Sequence, residues 1–369
     1  MPPTTDTRNF VHGIAADGAD AASLWRMAGI AMLSVRVIQG FIYWGGGSRR
    51  FIYGPQKLNP HAPHWMANKF QSALPGAILG TGHIITFLLH HFVLLYVCLI
   101  IFSAIELISG AMLIAGLMTR AAAAVTIGLS VVLMAMFGWQ GATCIDEWTM
   151  AACNAAMGAT LMLGGASAFS VDNALLRRYP HLKRAAWFRW MGGSLPLPLS
   201  ARRFQGIGLT VLAAVVIFDV GTYSYYRGSV LTPFHSGPIS PTTHHLSLSD
   251  MMLLPSGAVR VTAYVDGGTP EAPMHIMQID LMDSAGKVLA SLDEHALSAL
   301  PKKQFDNDFA YNRILPGPFG LVAPVGAKAE LTLPPGSVGS NFDQVRKVRI
   351  MDASGHQFSA FASVVNAAQ

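Results

Sequence analysis

Long apolar runs alternate with short polar ones through the first 226 residues, and short alternating segments replace them afterwards. A helix needs about 20 predominantly apolar residues to cross the hydrocarbon core of a bilayer. Five runs meet that requirement, over 24–44, 88–117, 122–139, 148–169 and 206–226. The stretch 77–87 is also apolar, but it follows Pro75 and Gly76 and contains His83, which predicts an interfacial or re-entrant piece rather than a sixth span. Beyond residue 226 the period shortens to that of strands, over 258–265, 275–282, 287–291, 328–333, 345–351 and 357–365. Short strands at regular spacing with turn signals between them predict a β-sandwich. Two of the hairpins look alike, IDLMDSAGKVLAS (279–291) and VRIMDASGHQFSA (348–360), each with Asp, two small residues and Gly at the turn. The expected fold is therefore a membrane α-helical bundle of about five transmembrane helices followed by an all-β sandwich. The expected domains are 1–204 and 205–369, the second made of the helix 206–226 and a sandwich over 230–369.

Composition agrees with a membrane protein. Hydrophobic residues make up 52% of the 369 and charged residues only 12%, where soluble domains carry about 25% charged residues. The net charge of +5 is clustered beside apolar spans, which points to membrane orientation and not to nucleic acid. The N-terminal residues are polar and acidic, unlike a cleavable signal peptide, so the first apolar run is expected to be an uncleaved anchor. Arg177, Arg178, Lys183, Arg184, Arg189, Arg202 and Arg203 share the loop before the last span with a single acid, Asp172. Positive loops stay in the cytoplasm. By alternation the N-terminus and the Arg120 turn are inside, and the segment 45–87, the loop GATCIDEW (141–148) and everything after residue 226 are outside. For a bacterial cell this is a multi-pass inner-membrane protein with an extracytoplasmic C-terminal domain.

Two outer features are not explained by topology. Arg49, Arg50, Lys57 and Lys69 lie in the first outer segment with His61, His64 and His83. They suit either lipid phosphates and solvent, or a site for a tetrahedral oxyanion, which guanidinium forks grip well. The GATCIDEW loop holds Cys144, Asp146, Glu147 and Trp148, more chemistry than a turn needs. The three cysteines, Cys98, Cys144 and Cys153, form no CxxC, no haem-attachment motif and no iron–sulfur set. No GxGxxG joins a strand to a helix, so a flavin or nicotinamide site of that kind is unsupported. His235, His244, His245, His275, His295 and His356 have no diagnostic ligand spacing, and no metal is expected.

Three ionisable residues interrupt the spans: Arg36, Glu106 and Asp219. At 1.5 Å per residue they lie roughly 18, 18 and 21 Å from the cytoplasmic ends of their helices. One layer can therefore hold all three, either as a neutralised packing network or as a proton path beside a quinone headgroup. Gln39 and Tyr43 follow Arg36 on the same helix face and would suit such a pocket.

Several of these segments resemble a known family. VRVIQGFIYWGGGSRRFIYGPQKLNP (35–60), ELISGAMLIAGLMTR (106–120) and GATCIDEW are similar to DoxD, the larger of two small membrane subunits called thiosulfate:quinone oxidoreductase. The last span, SVLTPFHS (229–236) and the sandwich resemble DoxA, its partner. The wider DoxX-like membrane family shares the second motif, and its members have a four-helix core, here with one added anchor helix. The resemblance implies oxidation of thiosulfate to tetrathionate, with membrane quinone as electron acceptor, the lipid bilayer as setting and a second copy of the chain as a candidate partner. The residues allow a thiol relay, in which a Cys144–Cys153 disulfide accepts the sulfane sulfur of thiosulfate and quinone later reoxidises the dithiol. Asp146 or Glu147 would move protons, and Arg49, Arg50, Lys57 and His83 would line the substrate site. Nine residues along one helix separate Cα atoms by about 13.5 Å, against the roughly 7 Å limit for a disulfide. Cys144 must then lie in a loop that folds back. Direct transfer from thiosulfate to quinone is the competing route, and a non-catalytic carrier or assembly factor is the competing class.

Overall fold

The computed structural model describes residues 18–140, 147–228, 235–335 and 339–362. Cys144 and Asp146 lie outside the described residues. The chain forms two compact units. One comprises residues 18–53, 102–130 and 153–215, and the other 54–101, the described parts of 131–152, and the described parts of 216–362.

Helix α1 (Gly18–Ser48) continues into a π-helical turn, Arg49–Tyr53. Short helices α2 (Met66–Ala73) and α3 (Thr81–His90) precede α4 (Phe92–Ala115), α5 (Thr119–Phe137), α6 (Glu147–Gly164), α7 (Val171–Arg178), α8 (Ala186–Met191) and α9 (Ala201–Arg227). Among the described residues four helices are long and apolar enough to cross a membrane: Trp25–Tyr53, Phe92–Ala115, Thr119–Phe137 and Ala201–Arg227. The remaining expected span, 148–169, forms a helix too, but α6 is only 18 residues long and is not among those four. Glu147 and Asn154 dilute its hydropathy, and it stops at Gly165, whose φ of 73° suits glycine. As expected, the stretch before α4 is a separate element: Gly80 in the left-handed region starts α3, and a break at His91 divides it from α4.

In the first unit, α1 and α4 cross with backbones nearly touching. A Cβ on Gly40 would stand 2.8 Å from the Gly110 carbonyl oxygen, and one on Gly47 2.7 Å from the Leu107 amide nitrogen. Glycine at both faces is what permits this approach. The same contacts fix the register of the two helices, which matters for the charges described below.

In the second unit, two antiparallel sheets enclose one core, with β1 (His245–Leu253), β2 (Val259–Gly267), β8 (Lys328–Leu333) and β5 (Phe305–Asn307) side by side in one. The other runs β10 (Gln357–Phe361), β9 (Lys347–Asp352), β3 (Met274–Met282), β7 (Leu321–Ala323), β6 (Leu315–Pro316), with β4 (Val288–Leu292) also on β3. Val261, Ala263 and Val265 of β2 meet Ile276, Ile279 and Leu281 of β3 and Val348 and Ile350 of β9, all fully buried. Alternation of this kind along each strand buries one face against the other sheet. The two look-alike turns are the same device. Asp283 accepts from the amides of Ala285 and Lys287, and Asp352 from those of Ser354 and His356. Gly286 and Gly355 both sit at φ 84°.

One sandwich carboxylate is tied unusually well. Burial alone would raise the pKa of Asp280, but hydrogen bonds from Gln278, Ser291 and Arg349, with the Arg349 charge, hold it below the usual carboxylate range. A carboxylate with a depressed folded pKa adds stability above its unfolded value of about 3.9; that stability disappears as pH falls through the folded value. Asp280→Asn is therefore expected to lower the unfolding temperature of the full chain at pH 7. The difference from the parent should close as pH falls below 4. A difference constant with pH would show that the charge is immaterial.

Candidate functional site

Arg50 and Glu106 form an ion pair within the first unit, with both side chains largely buried. The π-helical turn carries Arg50 over the end of α1, and Gly46 leaves room for the Glu106 carboxylate, since a Cβ there would lie 3.4 Å from Oε2. Arg50 also donates to Ser103 Oγ at 3.3 Å. Depth counting alone puts Glu106 in one layer with Arg36 and Asp219; the glycine crossing instead puts Glu106 beside Gly46, more than two turns beyond Arg36 along α1. Arg50, expected as a substrate ligand, is thus the counter-charge of an acid within a span. Its neighbour Arg49 is exposed.

Arg36 belongs to a different cluster at the far end of α4. It donates to the Ala166 carbonyl at 3.4 Å, and a Cβ on Gly116 would touch its guanidinium. The centre of that cluster is Asp172, fully buried. Asp172 accepts from the backbone amides of Met118 at 2.8 Å, Thr119 at 3.2 Å and Gly193 at 2.7 Å. Arg120, also buried, donates to the carbonyls of Met162 at 3.1 Å and Gly192 at 2.6 Å. The acid thereby caps the start of α5, and the guanidinium meets carbonyls at the ends of α6 and α8. The charge of Asp172 acts on both Arg36 and Arg120. Neither Asp172 nor Arg120 was singled out from the sequence as more than a loop charge.

Gln39 and Tyr43 do share a face. Gln39 donates to Asn154 O at 2.8 Å and Thr126 Oγ1 at 3.3 Å, while Tyr43 donates to Thr126 O at 2.9 Å and meets Ser130 Oγ at 2.8 Å. Both side chains are buried in this polar seam between α1, α5 and α6. It reads as helix packing, with the donors of both residues already engaged by protein.

Cys153 is exposed on α6, six residues after Glu147. Cys98 is half-buried against the apolar cluster around Trp65 and Leu95, which suits a packing role. The last two residues of GATCIDEW are anchored in the second unit: Glu147 pairs with Lys69, and Trp148 donates to Thr222 Oγ1 at 3.0 Å while resting edge-on against Tyr223. Lys69, one of the outer-segment cations noted in the sequence, is thus the counter-charge of Glu147. Asp219, one turn before Thr222 on α9, has an Oδ1 with no hydrogen-bond partner among the described residues. Lys57 is half-buried in a short turn after the π-helical segment.

His83 lines a cavity of the second unit, about 1040 Å³ in volume. Three separate stretches build its walls: residues 74–90 around α3, residues 217–225 of α9, and the sandwich residues Tyr264, Asp308, Phe309 and Lys328. The His90 ring packs on Phe309 at 5.0 Å between centroids. Lys328 Nζ lies 2.8 Å from Asp308 Oδ2, and the Asp308 amide donates to the Lys328 carbonyl. Burial, with the charges of Asp266 and Asp308, raises the pKa of Tyr264, which keeps its phenol protonated. Among the described residues no group of three or more His, Cys, Asp or Glu side chains is placed to hold a metal ion.

Two family models match in tandem: thiosulfate:quinone oxidoreductase (TQO) small subunit DoxD over residues 31–199, and TQO small subunit DoxA over residues 228–360. No solved structure matches the chain.

Proposed function

The chain belongs to the DoxD and DoxA families, joined as one polypeptide, and from that premise we propose that it oxidises thiosulfate to tetrathionate and passes the electrons to membrane quinone. The tandem match carries the reading: models of both small subunits of one redox system match a single chain that has four candidate membrane helices among its described residues. In this reading α6 crosses as a fifth span, so that positive-loop orientation puts the N-terminus in the cytoplasm and the sandwich outside the cell membrane.

Joining two thiosulfates makes one sulfur–sulfur bond and releases two electrons; quinone takes up those two electrons and two protons. In the thiol route, a Cys144–Cys153 disulfide is opened by the sulfane sulfur of one thiosulfate, which leaves one thiolate and a cysteine-bound thiosulfate. A second thiosulfate displaces the other thiolate and leaves as tetrathionate. Quinone reoxidises the dithiol and becomes quinol, with Glu147 or Asp146 as the proton carrier. The exposed Cys153 thiol, close to the start of α6, supports this route. Arg49 is the outer cation proposed to meet the dianion, since Arg50 is engaged by Glu106.

Purified protein in lipid nanodiscs, given thiosulfate and a soluble quinone, is expected to reduce the quinone and form tetrathionate in equal amounts. A folded sample that binds but never turns over would favour a carrier or assembly factor. The Cys144→Ser/Cys153→Ser double variant separates the two routes. Lost turnover is expected from the relay, and full turnover in that variant would leave direct transfer.

A further inference from the structure

The cavity of the second unit has a chemistry of its own. Its volume, about 1040 Å³, stands at the top of the roughly 300–1,000 Å³ range of small-molecule sites. Phe218, Tyr225 and Phe309 supply flat aromatic faces, and His83, Asp308 and Lys328 supply the polar groups. Its helical rim is apolar and open: Leu79 is 73% exposed and Ile217 71% exposed. Ile217 lies on a helix long and apolar enough to cross a membrane, so this rim faces acyl chains when that helix is in a bilayer. The opposite wall is different in kind. It comes from the sandwich, where a backbone hydrogen bond and the ion pair together fix Lys328 against Asp308. A ligand that fits must combine an aromatic-sized ring bearing a hydrogen-bond acceptor with a long apolar tail.

Resting on the proposed oxidoreductase reading, we propose that this cavity is where the membrane quinone binds, with its ring among Phe218, Tyr225 and Phe309, its tail leaving past Leu79 and Ile217, and one ring carbonyl accepting a hydrogen bond from Lys328. Asp308 orients that ammonium. The DoxA-like sandwich then supplies the polar end of a quinone site whose apolar end is helical. A cation fixed beside a carbonyl oxygen stabilises the negative charge that gathers there as electrons arrive. His83, assigned from the sequence to the oxyanion, belongs to the quinone instead.

The test uses the full chain in phosphatidylcholine nanodiscs, without thiosulfate, and a photoreactive azido-quinone. Label is expected in peptides covering 74–90, 217–225 and 305–328, and unlabelled quinone should compete for it. Gly221 lines the cavity, and a Cβ added there meets open space. Gly221→Leu should therefore fill the cavity without disturbing α9 and block labelling, with an unchanged unfolding temperature as the control. Lys328→Met should weaken quinone binding about tenfold or more, the loss expected for one charge-assisted hydrogen bond. Label mapping elsewhere, or label undiminished in Gly221→Leu, would overturn the assignment, as would competition by phospholipid in place of quinone. Because thiosulfate is absent, a protein that fails to turn over still reports on the cavity, so the two readings fail separately.

Discussion

Asp172→Ala is expected to destabilise the helical unit by roughly 3–5 kcal/mol, the range for breaking a buried charge network from one side. The acid is fully buried, and its two oxygens satisfy three backbone amides, from Met118, Thr119 and Gly193. Alanine leaves those three donors without partners, and each unsatisfied buried donor costs about 1–3 kcal/mol. It also leaves Arg36 and Arg120 buried without the charge that faces them. No alternative acid is close in sequence, because the loop around it is otherwise basic. In a thermal unfolding experiment on the detergent-solubilised chain, the shift should be about 10 °C. Asp172→Asn keeps one carbonyl acceptor and should fall between the two. An unchanged unfolding temperature in both variants would mean that water replaces the carboxylate at no cost. Where alanine prevents folding altogether, the asparagine variant still reports.

Asp172 shows how far counting along the chain reaches. As a lone acid among seven basic residues it looked like a minor correction to a topology signal. Its role depends on three amides drawn from residues 118, 119 and 193, which no local pattern links. The same holds for Glu106. A rise per residue puts Glu106 level with Arg36, but the register was decided by how Gly40, Gly47 and Gly110 let two backbones touch, and that contact set Glu106 against Arg50. The helices themselves, and the paired hairpins of the sandwich, were readable because their causes are local: unbroken apolar runs, and an Asp–x–x–Gly turn in which the carboxylate bonds its own backbone. Strands β5, β6 and β7 have three residues or fewer and are formed by their neighbours, so alternation could not reveal them. The cavity was invisible for the same reason, since its walls come from three stretches far apart in the chain.

Gly326→Ala is expected to cost several times more than an otherwise equivalent change at Gly286. Both glycines have positive φ, 80° and 84°, so alanine at either pays the left-handed penalty of about 1–2 kcal/mol. At Gly286 nothing lies within 4 Å of the added Cβ. At Gly326 that carbon would stand 2.0 Å from the Gln71 carbonyl oxygen and 2.6 Å from its carbonyl carbon. Those atoms are backbone and have no rotamer to move to. Relief requires the turn before β8 to separate from α2, and a set of hydrogen bonds spans that contact. Gln71, fully buried, donates to Gly326 O at 3.0 Å and Asn312 O at 2.7 Å and accepts from the Asn312 amide at 2.8 Å. Asn312 donates in turn to Asn68 O at 2.9 Å. Each such bond contributes about 1 kcal/mol net, so Gly326→Ala should lose roughly 3–5 kcal/mol once strain is included. Hydrogen exchange should locate the damage, with faster exchange in residues 66–73 and 310–327 of that variant and no change there in Gly286→Ala. Equal unfolding shifts for the two variants would show that the sandwich turn yields freely. The same latch immediately precedes the cavity wall that begins at Leu74, and the turn it holds runs into Lys328. Gly326→Ala should therefore weaken azido-quinone labelling even though residue 326 does not line the cavity, an effect that Gly286→Ala should lack.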